Sequence, residues 1–342
     1  MPVLSAPQLE ETTFRILSRA GASDTEADIV ARHLVLANSS GHDSHGVMRV
    51  MQYVDEIEKG EITPQANVQL TTDAKATCVI DDGGTFGQVV GQKGVEEATS
   101  RAREYGVGMA TMFRCAHTGR IGTYGEQIAE LGMLGLVFSS PAGLGSLVAP
   151  FGGREARMGT NPLCLAAPSR REFPIVLDMA TCVAPEGKVR NALQRSQSVP
   201  TEWLLDAQGQ PTSNPQAIYD DPMGALMPLG GIVGHKGYCL AVMVDIISGA
   251  LAGSGCCRPN PDAAKGRTIT IFAVDVGQLL PIDMFLNQVE ELVGYMASCP
   301  TLPGVDRVLV PGELESIRRE EQIREGIDIP ESVWERIQAL DQ

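Results

Sequence analysis

The chain alternates short β-rich runs with helical stretches between residues 67 and about 310, and this alternation constrains the fold more than any other feature. The β-rich runs are VQLTT, ATCVID, GVGMATMF, LGLVFSS, PIVLDM, TITIFAVD and RVLV. The helical stretches cover residues 88–104, 123–131, 238–251 and 282–297. Because helices must cover the apolar faces of a sheet, alternation of this kind predicts an α/β layer structure with a mixed sheet.

Both ends of the chain show helical periodicity instead. Apolar residues recur at spacings of three and four over residues 9–17 and 29–36, and a third helix is expected from Asp43 or Ser44 to Lys59. The last thirty residues return to the same pattern. We therefore expect a helical N-terminal subdomain (1–66), an α/β cofactor-binding domain (67–310), and C-terminal helices (311–342) that pack on the N-terminal subdomain.

The charge balance argues against a nucleic-acid partner. The 342 residues include 27 Lys and Arg against 42 Asp and Glu, a formal net charge of −15 that repels phosphate backbones. No run approaches the ~18 consecutive apolar residues that a membrane span needs, and no secretory signal is expected at the N-terminus. The eight cysteines form no CxxC pair, as in proteins of reducing compartments, and we expect a cytoplasmic protein.

Four of the five histidines lie in glycine-flanked segments. These are His42 and His45 in GHDSHG, His117 in CAHTGR and His235 in GHKGY, whereas His33 lies within the apolar run ARHLVLA. Glycine serves where the backbone turns sharply or approaches another group closely, so a histidine beside it is poorly explained as core filling. We take His33 as structural and the other four as candidates for a site.

The segment DSHGVMRVMQY adds a cation to this pattern. A helix that begins near Ser44 places His45, Arg49 and Tyr53 at i, i+4 positions on one face. If that face opens on a cleft, Arg49 attracts a carboxylate and His45 exchanges a proton with a neighbouring atom. The alternative is a solvated polar face. Gly46 costs helix stability, which hints at close approach of a ligand or another chain.

The glycine-rich turns match no standard nucleotide fingerprint. The chain has no GxGxxG after a strand and no GxxxxGK[ST], so a Rossmann domain and a P-loop are not supported. A metal-dependent hydrolase using His42, Asp43 and His45 remains an alternative, although the zinc motif HExxH is missing and we predict no metal. No GxSxG elbow for a nucleophilic serine is present either.

Six segments, taken in order, resemble the malate/L-lactate dehydrogenase family of the non-Rossmann type. They are DSHGVMR (43–49), HTGRIGTY (117–124), MGTNP (158–162), VLDMAT (176–181), GHKGYCLAVMVDIISGALAG (234–253) and VLVPGE (308–313). The arginine after HTG is most similar to the hydroxycarboxylate dehydrogenase B members, which stand beside ureidoglycolate, sulfolactate and diketogulonate oxidoreductases. The resemblance implies a non-Rossmann three-layer α/β/α fold, a homodimer, and NAD(P)H-dependent reduction of a 2-oxo acid or its reverse.

The same resemblance implies roles for individual residues. His45 is the proton donor to the substrate carbonyl, Arg49 binds the carboxylate, and in some relatives His117 has the acid/base role instead. The cofactor, NAD with NADP possible, is expected on Arg120, Ile121, Gly122, Asp178, Met179, Ala180, Thr181, His235, Lys236, Pro311, Gly312 and Glu313. Reduction of a cyclic imine carboxylate is a second activity found in the family. The two histidine assignments, and the substrate's side chain, stay open at this point.

Overall fold

The central element of the computed structural model is a seven-stranded sheet. The structure describes residues 2–142, 145–230, 233–259 and 266–341. The strands are β1 (Val3–Leu4), β2 (Gln69–Ala74), β3 (Thr77–Asp81), β4 (Val107–Cys115), β5 (Met133–Ser140), β6 (Leu163–Ala167), β7 (Ile175–Met179), β8 (Leu204–Leu205), β9 (Pro211–Thr212), β10 (Ala225–Leu226), β11 (Arg267–Asp275) and β12 (Ile327–Asp328). The central sheet has the order β2-β3-β4-β11-β5-β6-β7. In this sheet β3 and β4 pair in parallel, and all other neighbouring strands pair antiparallel. This arrangement confirms the predicted mixed sheet.

Ten α-helices surround the sheets in the described ranges. They are α1 (Ala6–Arg19), α2 (Asp24–Ser39), α3 (Val50–Glu58), α4 (Gly87–Tyr105), α5 (Gly122–Glu130), α6 (Glu186–Gln194), α7 (His235–Asp245), α8 (Ile282–Ala297), α9 (Glu313–Glu325) and α10 (Glu331–Leu340). Among the residues that the structure describes, none of these helices combines the length and apolarity that a bilayer crossing requires.

The two faces of the sheet are covered by different helices, which gives three layers. Ile269 and Ile271 of β11 lie in one buried cluster with Val90 of α4. The alternate residues of β11 point to the other face, where the Thr270 hydroxyl donates to the carbonyl of Ile247 in the π-helix that continues α7. Since successive residues of a strand face opposite sides, β11 separates the two helical layers.

The first two helices contain the predicted apolar runs, 9–17 and 29–36, and begin several residues before them. Ser5 caps α1 and Ser23 caps α2, and in each case the side chain three residues later, Gln8 or Glu26, bonds back to the cap backbone. This reciprocal arrangement satisfies two backbone donors that a helix start leaves without partners.

The terminal helices lie together. Leu9 of α1 and Ile337 of α10 share one buried cluster, and Arg15 forms an ion pair of 2.6 Å with Asp341 just after α10. Two small sheets, β1 with β12 and β10-β8-β9, were not indicated by the sequence pattern. The run RVLV (307–310) was wrongly expected to be a strand, since the structure assigns it no regular element.

Candidate active site

A cavity of about 580 Å³ lies at one end of the central sheet. The strand register brings the ends of four strands to this point, because Cys115 of β4 faces Arg267 of β11 and Leu163 of β6 faces Met179 of β7. The segments that follow β4, β5 and β7 therefore line the cavity together with the segment between α2 and α3. Of the predicted site residues, those that line it are His45, Arg49, His117, Arg120, Ile121, Asp178, Met179 and Ala180.

Two imidazole rings form one wall of this cavity. His45 and His117 are stacked with their ring centroids 5.5 Å apart and their planes inclined by 24°. They come from segments more than seventy residues apart in the chain, so the fold itself creates the pair. Both candidates for proton transfer are thus present at the same place.

His117 is held from behind by two buried side chains. The Tyr53 hydroxyl lies 2.8 Å from Nδ1 of His117, and Nε2 of Gln88 donates to that hydroxyl at 2.6 Å. Burial raises the pKa of Tyr53, so the phenol stays protonated. Because Nδ1 is engaged and Nε2 has no hydrogen-bond partner within the described ranges, Nε2 is the nitrogen left for a bound molecule.

The segment that carries His45 and Arg49 is not the α-helix that the sequence predicted. It consists of two 3-10 turns, Asp43–His45 and Val47–Arg49, and α3 begins only at Val50. Gly46 lies between the turns, against the side chain of Asn38, whose Oδ1 accepts from the backbone N–H of Val47 at 2.8 Å. The close neighbour that Gly46 indicated is therefore a side chain of the same protein.

His45, Arg49 and Tyr53 therefore do not lie on one face of a single α-helix, and that prediction was wrong. All three residues nevertheless lie at the site. Arg49 donates from Nε to the carbonyl of Ser44 and from Nη1 to Oε1 of Gln52, both at 2.6 Å. Both acceptors are neutral, so the guanidinium keeps its full charge. No carboxylate of the described residues pairs with it.

The two histidines are uncharged in this environment. Burial, followed by the charge of Arg49, lowers the pKa of His45 to about 3. Burial and the charges of Arg49 and Arg267 also lower the pKa of His117 well below its ordinary value. An anionic ligand that offsets these cations raises both pKa values again.

The cavity lining also contains a buried charge network around Arg120. Its Nε lies 3.1 Å from Oδ2 of Asp178 and its Nη2 lies 2.9 Å from Oε1 of Glu126, which also binds Arg319 of α9. The backbone N–H of Gly122 donates to the same oxygen of Asp178 at 3.2 Å. Burial raises the pKa of Asp178.

This network leaves one donor unused. Nη1 of Arg120 lines the cavity in a side chain that is only 2% exposed, and it has no hydrogen-bond partner among the residues that the structure describes. Buried donors are normally paired, so an unpaired one beside a cavity fits an anionic or carbonyl group of a ligand. The donor set of Arg120 thereby fits the phosphate or amide oxygens of a dinucleotide.

His33 is buried as expected, and it also supports the cavity wall. Its Nε2 accepts from the backbone N–H of Arg120 at 3.0 Å, and burial lowers its pKa to about 3. A Cβ on Gly119 would lie 2.3 Å from that nitrogen, which explains the glycine in HTGR. His33 thus fixes the backbone that presents Arg120.

The remaining histidine of the first segment faces the C-terminal helices. His42 lies 3.6 Å from Oε1 of Glu315 in α9, and this contact lowers the pKa of Glu315 to about 2. Asp43 instead accepts a hydrogen bond from Asn38. In the described part of the chain, no group of three metal-ligating side chains comes together.

Some predicted cofactor residues lie outside the cavity lining. His235 and Lys236 are exposed at the start of α7, where the His235 ring is 5.7 Å from that of Phe151. Thr181 is buried and donates to backbone carbonyls. Pro311, Gly312 and Glu313 lie at the start of α9 against β7, where Pro311 accepts from the N–H of Val176.

The structure adds residues that sequence reasoning did not select. Glu186 and Arg190 of α6 and Arg267 of β11 all line the cavity near Arg49. Arg190 and Glu186 form a bidentate pair, and the Tyr219 hydroxyl donates to Glu186 at 2.6 Å. Arg190 lies in none of the six segments that carry the family resemblance, and Arg267 has no local sequence signal because strand pairing places it in the cavity.

Comparison with known proteins gives consistent matches over nearly the whole chain. The family model for malate/L-lactate dehydrogenase matches residues 4–338. The chain is 35% identical over 319 residues to an L-lactate dehydrogenase of Cupriavidus necator, covering 92% of this chain and 90% of that protein. It is 32% identical over 327 residues to hydroxycarboxylate dehydrogenase B of Escherichia coli K12, covering 94% of this chain and 89% of that protein. Malate dehydrogenase from Entamoeba histolytica superposes with a TM-score of 0.94 at 28% identity, covering 99% of this chain and 97% of that one.

Proposed function

This chain belongs to the malate/L-lactate dehydrogenase family, whose members are oxidoreductases of 2-hydroxy acids, and from that premise we propose that it transfers a hydride between NAD(P)H and a 2-oxo acid. The observation that carries the proposal is the single cavity that combines the His45–His117 pair with the uncompensated charge of Arg49. Reduction of a 2-oxo acid needs an acid for the forming alkoxide and a cation for the carboxylate, and this cavity offers both.

We assign the proton-transfer role to His117. Its ring is fixed by Tyr53 and Gln88, so Nε2 points in one direction, and a fixed donor is what a positioned general acid requires. His45 bonds through Nδ1 to the Ser44 hydroxyl at 3.0 Å. We give His45 the second hydrogen bond to the reacting oxygen, and Arg49 the substrate carboxylate.

Arg120 and Asp178 are the residues we propose for the cofactor, with Ile121, Met179 and Ala180 beside them. The unused Nη1 of Arg120 supplies a charged donor, and Asp178 anchors the backbone that follows His117 through Gly122. When bound, the nicotinamide supplies the hydride in the reduction and accepts it in the oxidation. NAD is our first choice and NADP the second. For His235, Lys236, Thr181, Gly122, Pro311, Gly312 and Glu313, cofactor contact stays a prediction.

The deciding experiment is a substrate panel with both reduced cofactors. Pyruvate, 2-oxoglutarate, phenylpyruvate and a cyclic imine carboxylate are offered with NADH and with NADPH, and the loss of reduced nicotinamide absorbance is followed. Turnover of a 2-oxo acid supports the proposal. Turnover of the imine alone supports the imine reductase, which the named relatives favour less, and no turnover by folded protein contradicts both.

We further propose that the protein acts as a homodimer in a reducing, cytoplasmic compartment. Large apolar side chains are exposed on α7 and α8, among them Met243 (51%), Leu292 (57%) and Tyr295 (74%). Exposed apolar side chains of this size are typical of association surfaces. Size-exclusion chromatography with light scattering measures the assembly.

All eight cysteines are unpaired, as is typical of proteins in a reducing compartment.

A further inference from the structure

The part of the cavity near His117 contains more positive charge than one carboxylate can compensate. Three guanidinium groups line it, those of Arg49, Arg190 and Arg267, and Glu186 is the one carboxylate in the described lining on this side. Asp178, the other acidic residue of the lining, is already paired with Arg120. The charge of the substrate can therefore be inferred from how each arginine is used.

Arg190 is already neutralised. Its Nε lies 3.0 Å from Oε1 of Glu186 and its Nη2 contacts the other oxygen, in the bidentate geometry that suits a guanidinium and a carboxylate. The Tyr219 hydroxyl donates to the same carboxylate. Burial by itself raises the pKa of Glu186. The hydrogen bonds from Arg190 and Tyr219 have the larger combined effect, so the pKa of Glu186 is lowered.

Arg49 and Arg267 are not neutralised. The neighbours of Arg49 are a backbone carbonyl and an amide. Arg267 is half-buried, and within the described ranges its side chain has no hydrogen bond and no ion pair. Charged groups withdrawn from water are normally paired, so two such guanidiniums in one cavity indicate two anionic groups on the ligand.

Arg267 also has the position that a second anion site requires. It begins β11 opposite Cys115, two residues before His117, whereas Arg49 reaches the cavity from the segment before α3. Both arginines line the same cavity as His117, and their charges lower the pKa of that histidine. The two cations therefore approach the reacting carbonyl from different elements of the fold.

We infer that the preferred substrate is a 2-oxo acid with a second anionic group, and that Arg267 binds this group while Arg49 binds the carboxylate beside the reacting carbonyl. The inference rests on the proposed function. It makes Arg267 the residue that discriminates between dianionic and monoanionic 2-oxo acids, since a monoanion leaves its guanidinium uncompensated.

The test compares oxaloacetate with its half-amide, 2-oxosuccinamate, which has nearly the same shape and one charge fewer. Wild-type protein should prefer oxaloacetate in kcat/KM by about 10- to 100-fold, the value of a hydrogen bond to a charged group. In Arg267→Met the preference should fall to within a few-fold, and Arg267→Lys should retain part of it. Arg103→Met removes an exposed arginine from α4 and should change nothing.

Two outcomes overturn the inference. The first is a wild type that uses the half-amide as well as oxaloacetate, and the second is an Arg267→Met protein that keeps the wild-type preference. If the KM for the cofactor rises while the substrate preference stays unchanged, Arg267 binds the cofactor and not the substrate. Thermal melting of each variant establishes that the protein is folded.

Binding separates this inference from the proposed function. Isothermal titration of wild type and Arg267→Met with oxaloacetate and with the half-amide requires no turnover. A 10- to 100-fold weaker affinity of the variant for oxaloacetate alone supports the second anion site even if no cofactor is oxidised. Equal affinities overturn the site even if the enzyme reduces other 2-oxo acids.

Discussion

The Tyr53 hydroxyl lies 2.8 Å from Nδ1 of His117, and this contact joins helix α3 to the segment that follows β4. Tyr53→Phe removes it and leaves Nε2 of Gln88 without its buried partner. We expect kcat to fall about fivefold with little change in KM, because one hydrogen bond of roughly 1 kcal/mol positions the imidazole. Steady-state kinetics measure this, with Tyr105→Phe, at an exposed position, as the control. An unchanged kcat would mean that packing alone orients His117.

Replacing each histidine in turn separates the two candidates for proton transfer. His117→Ala should lower kcat by roughly 10²- to 10⁴-fold, the usual contribution of a general acid. His45→Ala should cost less, since it removes a hydrogen bond and not the acid. Single-turnover kinetics with the reduced cofactor measure both. If the larger loss belongs to His45, the two roles must be exchanged.

Arg49→Met tests the carboxylate site. The variant should raise KM for the 2-oxo acid by at least tenfold, because a charge-assisted hydrogen bond contributes about 1.5 to 3 kcal/mol. The KM of the cofactor should stay close to the wild-type value. Since Arg49 also donates to Ser44 and Gln52, melting curves must accompany the kinetics. A substrate KM equal to that of the wild type would remove Arg49 from the binding site.

The pH dependence should differ between the two directions of the reaction. Reduction needs protonated His117, whose pKa is lowered in the free protein by burial and by Arg49 and Arg267. Its kcat/KM should therefore fall as pH rises through neutrality, about tenfold per unit above that pKa. Oxidation needs the neutral form, so its kcat/KM should stay level over the same range. Profiles of kcat/KM in both directions measure this, and a level profile for reduction would contradict the assignment.

Gly46→Ala should disturb the segment that carries His45 and Arg49. Its Cβ would lie 2.0 Å from Oδ1 of Asn38, which bonds to the N–H of Val47. Crowding and the lost bond should lower the free energy of unfolding by roughly 2 to 4 kcal/mol. Gly294→Ala, in α8 with no atom within 4 Å of the new Cβ, is the control and should be neutral or stabilising. Denaturant unfolding measures the stability of both variants. Equal stabilities would show that the Asn38 side chain moves aside to accommodate the new Cβ.

Local sequence signals predicted much of the fold. The apolar runs 9–17 and 29–36 lie within α1 and α2, and the helix predicted over 282–297 has the limits that the structure gives α8. These elements are determined by neighbours a few residues away, which periodicity and capping report directly. The mixed sheet also follows from the pattern, but its strand order does not.

The sequence predicted site residues only where they lie in a recognisable motif. His45 and His117 have such motifs, but their stacking depends on packing between distant segments. The α-helix expected from Ser44 fails because the Asn38 side chain takes the N–H of Val47, a contact that no periodicity reveals. Arg267 enters the cavity through strand pairing with Cys115, and such long-range register is invisible in one sequence.

Helix α9 gives the order in which this cavity can be completed during synthesis. Arg319 binds both oxygens of Glu126, the partner of Arg120, and Glu315 lies beside His42. Arg319 and Glu315 lie C-terminal to the sheet and its earlier helices, so those elements are synthesised before them. Until α9 is present Glu126 is paired with Arg120 but not with Arg319, so this wall of the cavity is completed after the sheet.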